Sequence, residues 1–323
     1  MAVDTLIIGA GISGLLAATQ LQKAGHSVLV LDKGRGVGGR MASRRMSDDG
    51  QTRADHGAQF FTVRDKDFKQ WVDDWIKAGV VAEWCRGFSG QDGHPRFRGT
   101  GGMTAVAKHL AGDLDVRTKA KVVSIKQKDR AWSIVTDNNQ QFACQNLIVT
   151  SPVPQSLALL KVELPQLNQR ALEAIRYHQC FAVMALLSEK SNVAKPGGIQ
   201  VRGPIIDWIG DNYQKGISAE TTITIHSSPE FTQKHLDDDR QKVGQMLIEA
   251  AHEAGYFDQN IVSDYQVHRW MYAQPIDCYP ERCLKTDVNG LSIVFAGDAF
   301  KHARVEGAAL SGLAAADSLL GSN

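Results

Sequence analysis

The chain has only five cysteines, Cys85, Cys144, Cys180, Cys278 and Cys283, an odd number in 323 residues. The one close pair, Cys278 and Cys283, lacks the two-residue gap of a zinc knuckle, and no second pair completes a metal site. A disulfide scaffold is therefore excluded, free thiols in a reducing cytoplasm are the better reading, and no metal is expected. No uninterrupted apolar run approaches about 18 residues, which argues against a membrane-spanning helix. A surplus of either charge is also missing: 36 Lys and Arg against 35 Asp and Glu leave a formal +1. That balance removes the electrostatic footprint of a nucleic-acid or anionic-membrane binder. Asp4 stands where a secretory leader carries basic residues, and Gly9 breaks the apolar run, so no signal peptide is expected. There is no G-x-x-x-x-G-K-[ST] loop, and His252-Glu253 lacks a second histidine four residues after the first. What is present is an ordinary globular composition, 43% hydrophobic and 22% charged, long enough for two domains.

The N-terminus carries a nucleotide-binding pattern. Thr5 to Ile8 is apolar without alternation, as in a strand buried on both faces of a parallel sheet. Gly9-Ala10-Gly11-Ile12-Ser13-Gly14 follows, then a helical pattern from Leu15 to Lys23 that stops at Gly25, then a second apolar run, Val28 to Leu31, ending in Asp32. Gly9 permits the tight turn, Gly11 lets the backbone approach a pyrophosphate, and Gly14 lets the helix pack on the strand. The helix N-terminus, with the amides of Ile12 and Ser13, offers donors and a positive dipole end to phosphate. Asp32 falls where a carboxylate accepts the hydroxyls of an adenosine ribose.

Two further signatures favour FAD over NAD. The stretch Lys33-Gly34-Arg35-Gly36-Val37-Gly38-Gly39-Arg40-Met41 is too rich in glycine to start a helix, since glycine costs about 1 kcal/mol there. A loop bringing backbone amides and guanidinium groups to a diphosphate explains it better. The stretch resembles the second glycine motif of the flavin amine oxidase superfamily. Near the C-terminus a strand-like run, Ser292 to Phe295, leads into Ala296-Gly297-Asp298-Ala299, and Arg304-Val305-Glu306-Gly307-Ala308 opens a small-residue helix to about Leu320. In such flavoproteins the Asp binds the ribityl chain or pyrophosphate, and the helix aims its N-terminus at the flavin N1–O2 edge.

The resemblance extends along the chain to the renalase-like branch of that superfamily. It is carried by Asp55-His56-Gly57-Ala58-Gln59-Phe60-Phe61-Thr62, Gly101-Gly102-Met103, Leu147 to Pro154, Ile206-Asp207-Trp208 with Asn212, Ile225 to Phe231, and His268 to Ala273. It implies an α/β fold: a Rossmann-type FAD-binding domain of the glutathione-reductase-like, amine oxidase type with an inserted α+β substrate domain. The FAD domain is expected over 1–60, 95–155 and 262–323, the substrate domain over 61–94 and 156–261. Val122 to Ile125, Trp132 to Val135 and Leu147 to Thr150 read as strands of a β-meander. Phe68, Trp71, Val72 and Trp75 recur at helical spacing, as on a core-facing helix. By the same resemblance Gly57, Ala58, Gln59, Phe60, Val123 and Trp270 join the glycine motifs around FAD, held non-covalently because no Cys or His lies in the closing Gly297–Asp298 motif.

A flavin oxidase needs orientation, electrostatics and water exclusion more than acid–base machinery. His226 ends the β-branched run Thr221 to Ile225, at the mouth of a strand, and is the leading substrate-site candidate. Gln59 is placed to bond flavin N5 or the substrate, or else its local backbone. Asn212 and Lys215 share a loop where relatives carry an Asn and a Lys near the substrate, to hold a carboxamide or a phosphate, although Gly216 stands where relatives tend to have Pro. Trp270 and Tyr272 wall the flavin or pack in the core. Neither an N5 lysine nor an aromatic cage can be assigned from the sequence. The resemblance therefore implies oxidation of non-4-dihydro isomers of NAD(P)H, with O2 reduced to H2O2. The alternatives are an amine oxidase or desaturase of the same superfamily, or a flavin-binding protein without catalysis.

Overall fold

The computed structural model describes residues 2–88 and 93–321. The chain divides into two compact units, 1–39, 106–177 and 274–323 in one, 40–105 and 178–273 in the other.

The first unit is built on an eight-stranded sheet. Strand Ala2–Ile8 lies at its centre, parallel to Val28–Leu31 on one side and to Gln141–Val149 on the other. Asp115–Arg117 extends the sheet beyond Val28–Leu31, and Leu291–Phe295 joins Gln141–Val149, both parallel. Leu284–Val288 closes that edge antiparallel. Val122–Lys128, Ala131–Thr136 and Gln141–Val149 run antiparallel in turn, the expected meander. The non-alternating apolar runs fit this position: Leu6, Ile7, Leu29, Val30, Leu147, Ile148, Ile293 and Val294 are all fully buried.

Helices Ile12–Lys23 and Val305–Leu320 pack closely in this unit because both present small residues. A Cβ on Gly312 would stand 2.0 Å from the Ser13 carbonyl oxygen. Likewise, a Cβ on Gly14 would stand 2.0 Å from the Gly9 oxygen. In close-packed interiors such contacts force backbone shifts rather than small adjustments.

The second unit contains a five-stranded sheet in the order Gly198–Gln200, Ile206–Asp211, Thr222–Ser227, Tyr177–Leu187, Val262–Pro275. Alternation gives it two unlike faces. Ile209, Ile223, Ile225, Val183 and Ala185 point to one face, where they form an apolar core with Val243, Leu247, Ile248 and Ala251 of helix Arg240–Glu253. Tyr265 and Val267 join this face. The opposite face therefore carries Trp208, Gly210, Thr224 and His226, which are cross-strand partners, together with His268 and Trp270. Helix Lys66–Lys77 buries Phe68, Val72 and Trp75 as their spacing requires, while Trp71, expected on the same face, is half-buried.

These units differ from the expected division into FAD and substrate segments. Residues 40–60, 95–105 and 262–273 group with the sheet of the second unit, and 156–177 with the first. Local bonding accounts for the shift. The hairpin of Ser43–Arg45 and Arg53–Asp55 is tied to the five-stranded sheet by Thr222 Oγ1, which donates to the Arg53 carbonyl at 2.6 Å. Tyr177 Oη accepts from the Val153 amide at 3.2 Å in the first unit.

Gly312→Ala should lower stability by roughly 1–3 kcal/mol through overpacking against Ser13, read as a fall in thermal midpoint; an unchanged midpoint would show that the two helices are not held at this contact.

Candidate active site

In the first unit the three sequence signatures converge at the carboxyl ends of the parallel strands, where open α/β sheets bind ligands. Gly9 has φ +111° and follows Ile8 directly. The first bond of helix Ile12–Lys23 runs from Leu15 N to Gly11 O, so the amides before it have no intrahelical acceptor. No side chain caps this end, and its first turn carries no acid to offset the dipole. A Cβ built on Gly11 meets nothing within 4 Å, so open space lies over the turn. This geometry fits a dinucleotide diphosphate.

The second glycine motif returns to the first: the Gly38 amide donates to the Ala10 carbonyl at 2.8 Å. Gly39 lies so near that its Cβ would be 3.7 Å from Gly11 Cα. Asp32 accepts from the amides of Ala10 at 2.7 Å and Gly34 at 2.6 Å, which orient its carboxylate beside the turn. The Lys33 ammonium donates to Gln155 Oε1 at 2.9 Å, and Arg35 is exposed. Val123 is exposed at an irregularity in the strand pairing between Val122 and Ser124. At the third signature, Gly297 adopts φ +136° and its amide donates to Ser311 Oγ at 2.8 Å. Asp298 follows it, and Arg304 stands at the uncapped start of helix Val305–Leu320, with Glu306 and Ala308 in its first turns. Thr150, not singled out from the sequence, ties this region together, its hydroxyl donating to the carbonyls of Ile8 and Gly9 at 3.0 and 3.2 Å.

In the second unit, segment 55–60 lies against the polar face of the five-stranded sheet. Asp55 is its hub. Its carboxylate accepts from Lys215 Nζ at 2.6 Å, Ser43 Oγ at 2.5 Å and the Met103 amide at 2.9 Å. Its carbonyl accepts from Gln59 Nε2 at 2.6 Å and Thr224 Oγ1 at 2.8 Å, and its amide donates to Asn212 Oδ1 at 3.2 Å. The next carbonyl, of His56, accepts from Trp270 Nε1 at 2.8 Å and from His226 Nε2 at 3.2 Å. The His56 ring stacks on Trp270 and meets His268 edge-on, both with centroids 5.2 Å apart. Arg40 Nη1 donates to the Tyr272 carbonyl at 3.2 Å, and its own carbonyl accepts from Ala58 N. Met41 offers its carbonyl to Thr104 Oγ1 at 3.3 Å. Gly57 is required here, because a Cβ would stand 2.0 Å from the Arg40 oxygen.

Several expected roles change with this geometry. His226 is the next-to-last residue of strand Thr222–Ser227, its ring on the polar face. Asn212 is consumed by the protein: Nδ2 donates to the Thr222 carbonyl and Thr224 Oγ1, so the amide is not free for a substrate carboxamide. Lys215 is likewise spent on Asp55, both side chains essentially unexposed. Burial draws the Lys215 pKa down and the Asp55 carboxylate opposes it. The amide of Gln59 bonds the Asp55 and Gly57 carbonyls, the local alternative considered for it.

The sequence also gave no pointer to an aromatic cluster. Phe60, Trp84, Phe88 and Trp208 meet with centroids 5.0–6.4 Å apart, Trp208 filling a slot left by the paired Gly198 and Gly210. Two cations face it, Arg96 at 4.5 Å from the Phe88 centroid and Lys215 at 5.2 Å from the Trp84 ring. Separated positions in sequence hide such a cluster; only the register of the sheet assembles it.

Comparison with known proteins now decides the family. Residues 78–320 match the family described as flavin containing amine oxidoreductase, and residues 7–75 match the NAD(P)-binding Rossmann-like domain. The chain belongs to the flavin-containing amine oxidoreductases. It is 25% identical to mouse (Mus musculus) renalase over 95% of this chain and 96% of that protein. A triple mutant of putrescine oxidase shares the fold, with a TM-score of 0.73 at 16% identity over 100% of this chain and 99% of that one. Cyclohexylamine oxidase from Brevibacterium oxydans does so with a TM-score of 0.70 at 13% identity, covering 98% of both chains. This member of the family is thus an FAD-dependent oxidoreductase with a renalase-like sequence. Among the described residues no helix is long and apolar enough to cross a membrane.

The histidines of this flavin amine oxidoreductase set a pH signature. Burial pushes the pKa of His56 down to about 3 and that of His226 to about 4; His268 also falls to about 4, by burial and then the nearby Arg44 and Arg240. The folded protein keeps these rings neutral where the unfolded chain, near 6.5, protonates them. Stability is therefore full above that value and is lost as pH falls toward 4. Calorimetry at pH 5.5 should detect proton uptake on unfolding that drops by about one in His56→Gln; uptake unchanged by the substitution would contradict a neutral buried ring.

Proposed function

We propose that this enzyme is a renalase-like oxidase whose substrate is a small reduced, planar donor of the dihydronicotinamide type, with O2 as the final acceptor. The observation that carries the reading is the state of the polar groups on the sheet face. Lys215 is committed to Asp55, Asn212 and the Gln59 amide nitrogen are committed to backbone, and the histidines are neutral. Such a surface has no free strong base. It suits a substrate that surrenders a hydride without prior deprotonation, with stacking from Trp270, itself backed by the buried His56 ring, and hydrogen bonds to orient it.

FAD, when bound, supplies the two-electron acceptor: the donor becomes NAD(P)+, and O2 with two electrons and two protons becomes H2O2. The unit with the three glycine motifs is the one proposed to hold the cofactor, through Gly11, Ile12, Ser13, Asp32, Gly38, Gly39, Asp298 and the amides at Val305 and Glu306. The unit with the five-stranded sheet is proposed to bind the substrate. The full-length similarity to renalase supports this, and five cysteines without a disulfide among them support a reducing, cytoplasmic setting.

An amine substrate is the second reading, favoured by the aromatic cluster, since aromatic faces attract cationic amines. Here Arg96 and Lys215 already stand against those rings. A further cation would meet like charge, so the dihydronicotinamide reading is preferred.

Anaerobic stopped-flow mixing of the yellow protein with a borohydride-generated mixture of dihydro-NAD isomers, and separately with amines, checks the choice. Rapid bleaching by the minor isomers alone is expected; bleaching by an amine alone would sink it. Asp298→Ala should lose FAD on gel filtration, and a fully yellow variant would remove that residue from cofactor binding.

A further inference from the structure

We propose that the buried Asp55–Lys215 ion pair fixes the tautomer of His226, so that this ring meets the substrate as a hydrogen-bond acceptor through Nδ1. The pair makes Asp55 a positioning residue, and His226 a determinant of specificity for an amide over an acid.

A carbonyl oxygen can only accept. Since His226 Nε2 faces the His56 carbonyl at 3.2 Å, Nε2 must carry the proton. The ring is also neutral, because burial suppresses its protonation and the positive Lys215 nearby adds to the effect. A neutral ring with the proton on Nε2 has a bare lone pair on Nδ1.

The tautomer is only as fixed as the carbonyl that selects it. That carbonyl follows Asp55, whose six hydrogen bonds anchor the peptide on every side: three to its carboxylate, two to its carbonyl, one from its amide. Trp270 Nε1 holds the same His56 oxygen at 2.8 Å, so the acceptor cannot swing away without breaking that bond too. Among the described residues Lys215 is the cation that bonds the Asp55 carboxylate, and neither side chain reaches solvent. Without the ammonium the carboxylate must gain a proton or seek water, and either would move segment 55–59.

An Nδ1 acceptor discriminates between substrates. The N–H of a primary carboxamide can donate to it. A carboxylate in the same place offers only lone pairs and a negative charge. A site built to accept from an N–H group strongly rejects the analogue that lacks it. This consequence rests on the dihydronicotinamide reading; the tautomer does not.

The experiment has two arms. Protein labelled with 15N-histidine, free of substrate at pH 7, is examined by long-range 15N–1H correlation, with the His226 signals identified by their absence in His226→Gln. A single Nε2–H tautomer is expected, and an Nδ1–H tautomer, an imidazolium or an averaged pair would overturn the proposal. In Lys215→Met the fixed tautomer should give way to a mixture. Should that variant not fold, the charge-neutral pair Asp55→Asn/Lys215→Met serves instead; a tautomer unchanged in the folded variant would remove the ion pair from the account. In the second arm the dihydro isomers of NAD and of its nicotinic-acid analogue are compared by the rate of flavin reduction. A preference for the amide on the order of 100-fold is expected, falling below about tenfold in Lys215→Met. Equal rates would overturn the acceptor role. If neither compound reduces the flavin, the substrate reading fails and the spectra still decide the tautomer.

Discussion

A carboxylate without access to water must be surrounded by donors, and Asp55 shows how much structure that single requirement can organise. The carboxylate's partners come from the hairpin at Ser43, the turn at Met103 and the loop at Lys215, and the backbone carbonyl of the same residue accepts from Thr224 of strand Thr222–Ser227. Each of these would otherwise be free to choose another register or orientation. The charge fixes one arrangement, in which segment 55–60 crosses the polar face of the sheet. An ion pair of this kind contributes little net stability once desolvation is counted, and breaking it is costly. Its value here is the uniqueness of the arrangement it imposes. The neutral histidines and the stacked His56–Trp270 pair inherit their geometry from it.

The nucleotide-binding unit rests on a different constraint, the closeness of backbone to backbone. At several of these glycines another main chain or open space lies where a side chain would project: Gly14 against Gly9, Gly39 near Gly11, Gly312 against Ser13, and open space over Gly11. Donors without intrahelical partners therefore face the space over Gly11. A cofactor rich in phosphate suits that surface, and the family to which the chain belongs carries FAD.

Local signals in the sequence were enough for the first unit. The non-alternating runs, the spacing of Gly9, Gly11 and Gly14, and Asp32 at the end of the second strand are all short-range features, and the strands and helices fall within a few residues of the expected bounds. The meander and helix Lys66–Lys77 were legible for the same reason. The polar face of the second unit was not. The alternation Thr222-Ile223-Thr224-Ile225 sets His226 on the face opposite the two isoleucines, but what packs on that opposite face comes from segments far away in sequence, and only the packing of Ile223 and Ile225 in the core assigns the faces. Asn212 and Lys215 were visible as polar residues in a loop, but their partners, Asp55 and Thr222, lie at distances in sequence that no local pattern reports. The aromatic cluster is assembled from positions 60, 84, 88 and 208 in the same way.

The central claim is that the glycine motifs, Asp32 and the C-terminal helix hold a flavin dinucleotide without a covalent bond. Mild acid or heat applied to the purified yellow protein, followed by identification of the released cofactor, tests it most directly. Stoichiometric FAD in the supernatant and a colourless precipitate are expected. FMN or NAD in place of FAD, or flavin that stays with the precipitated chain, would contradict it.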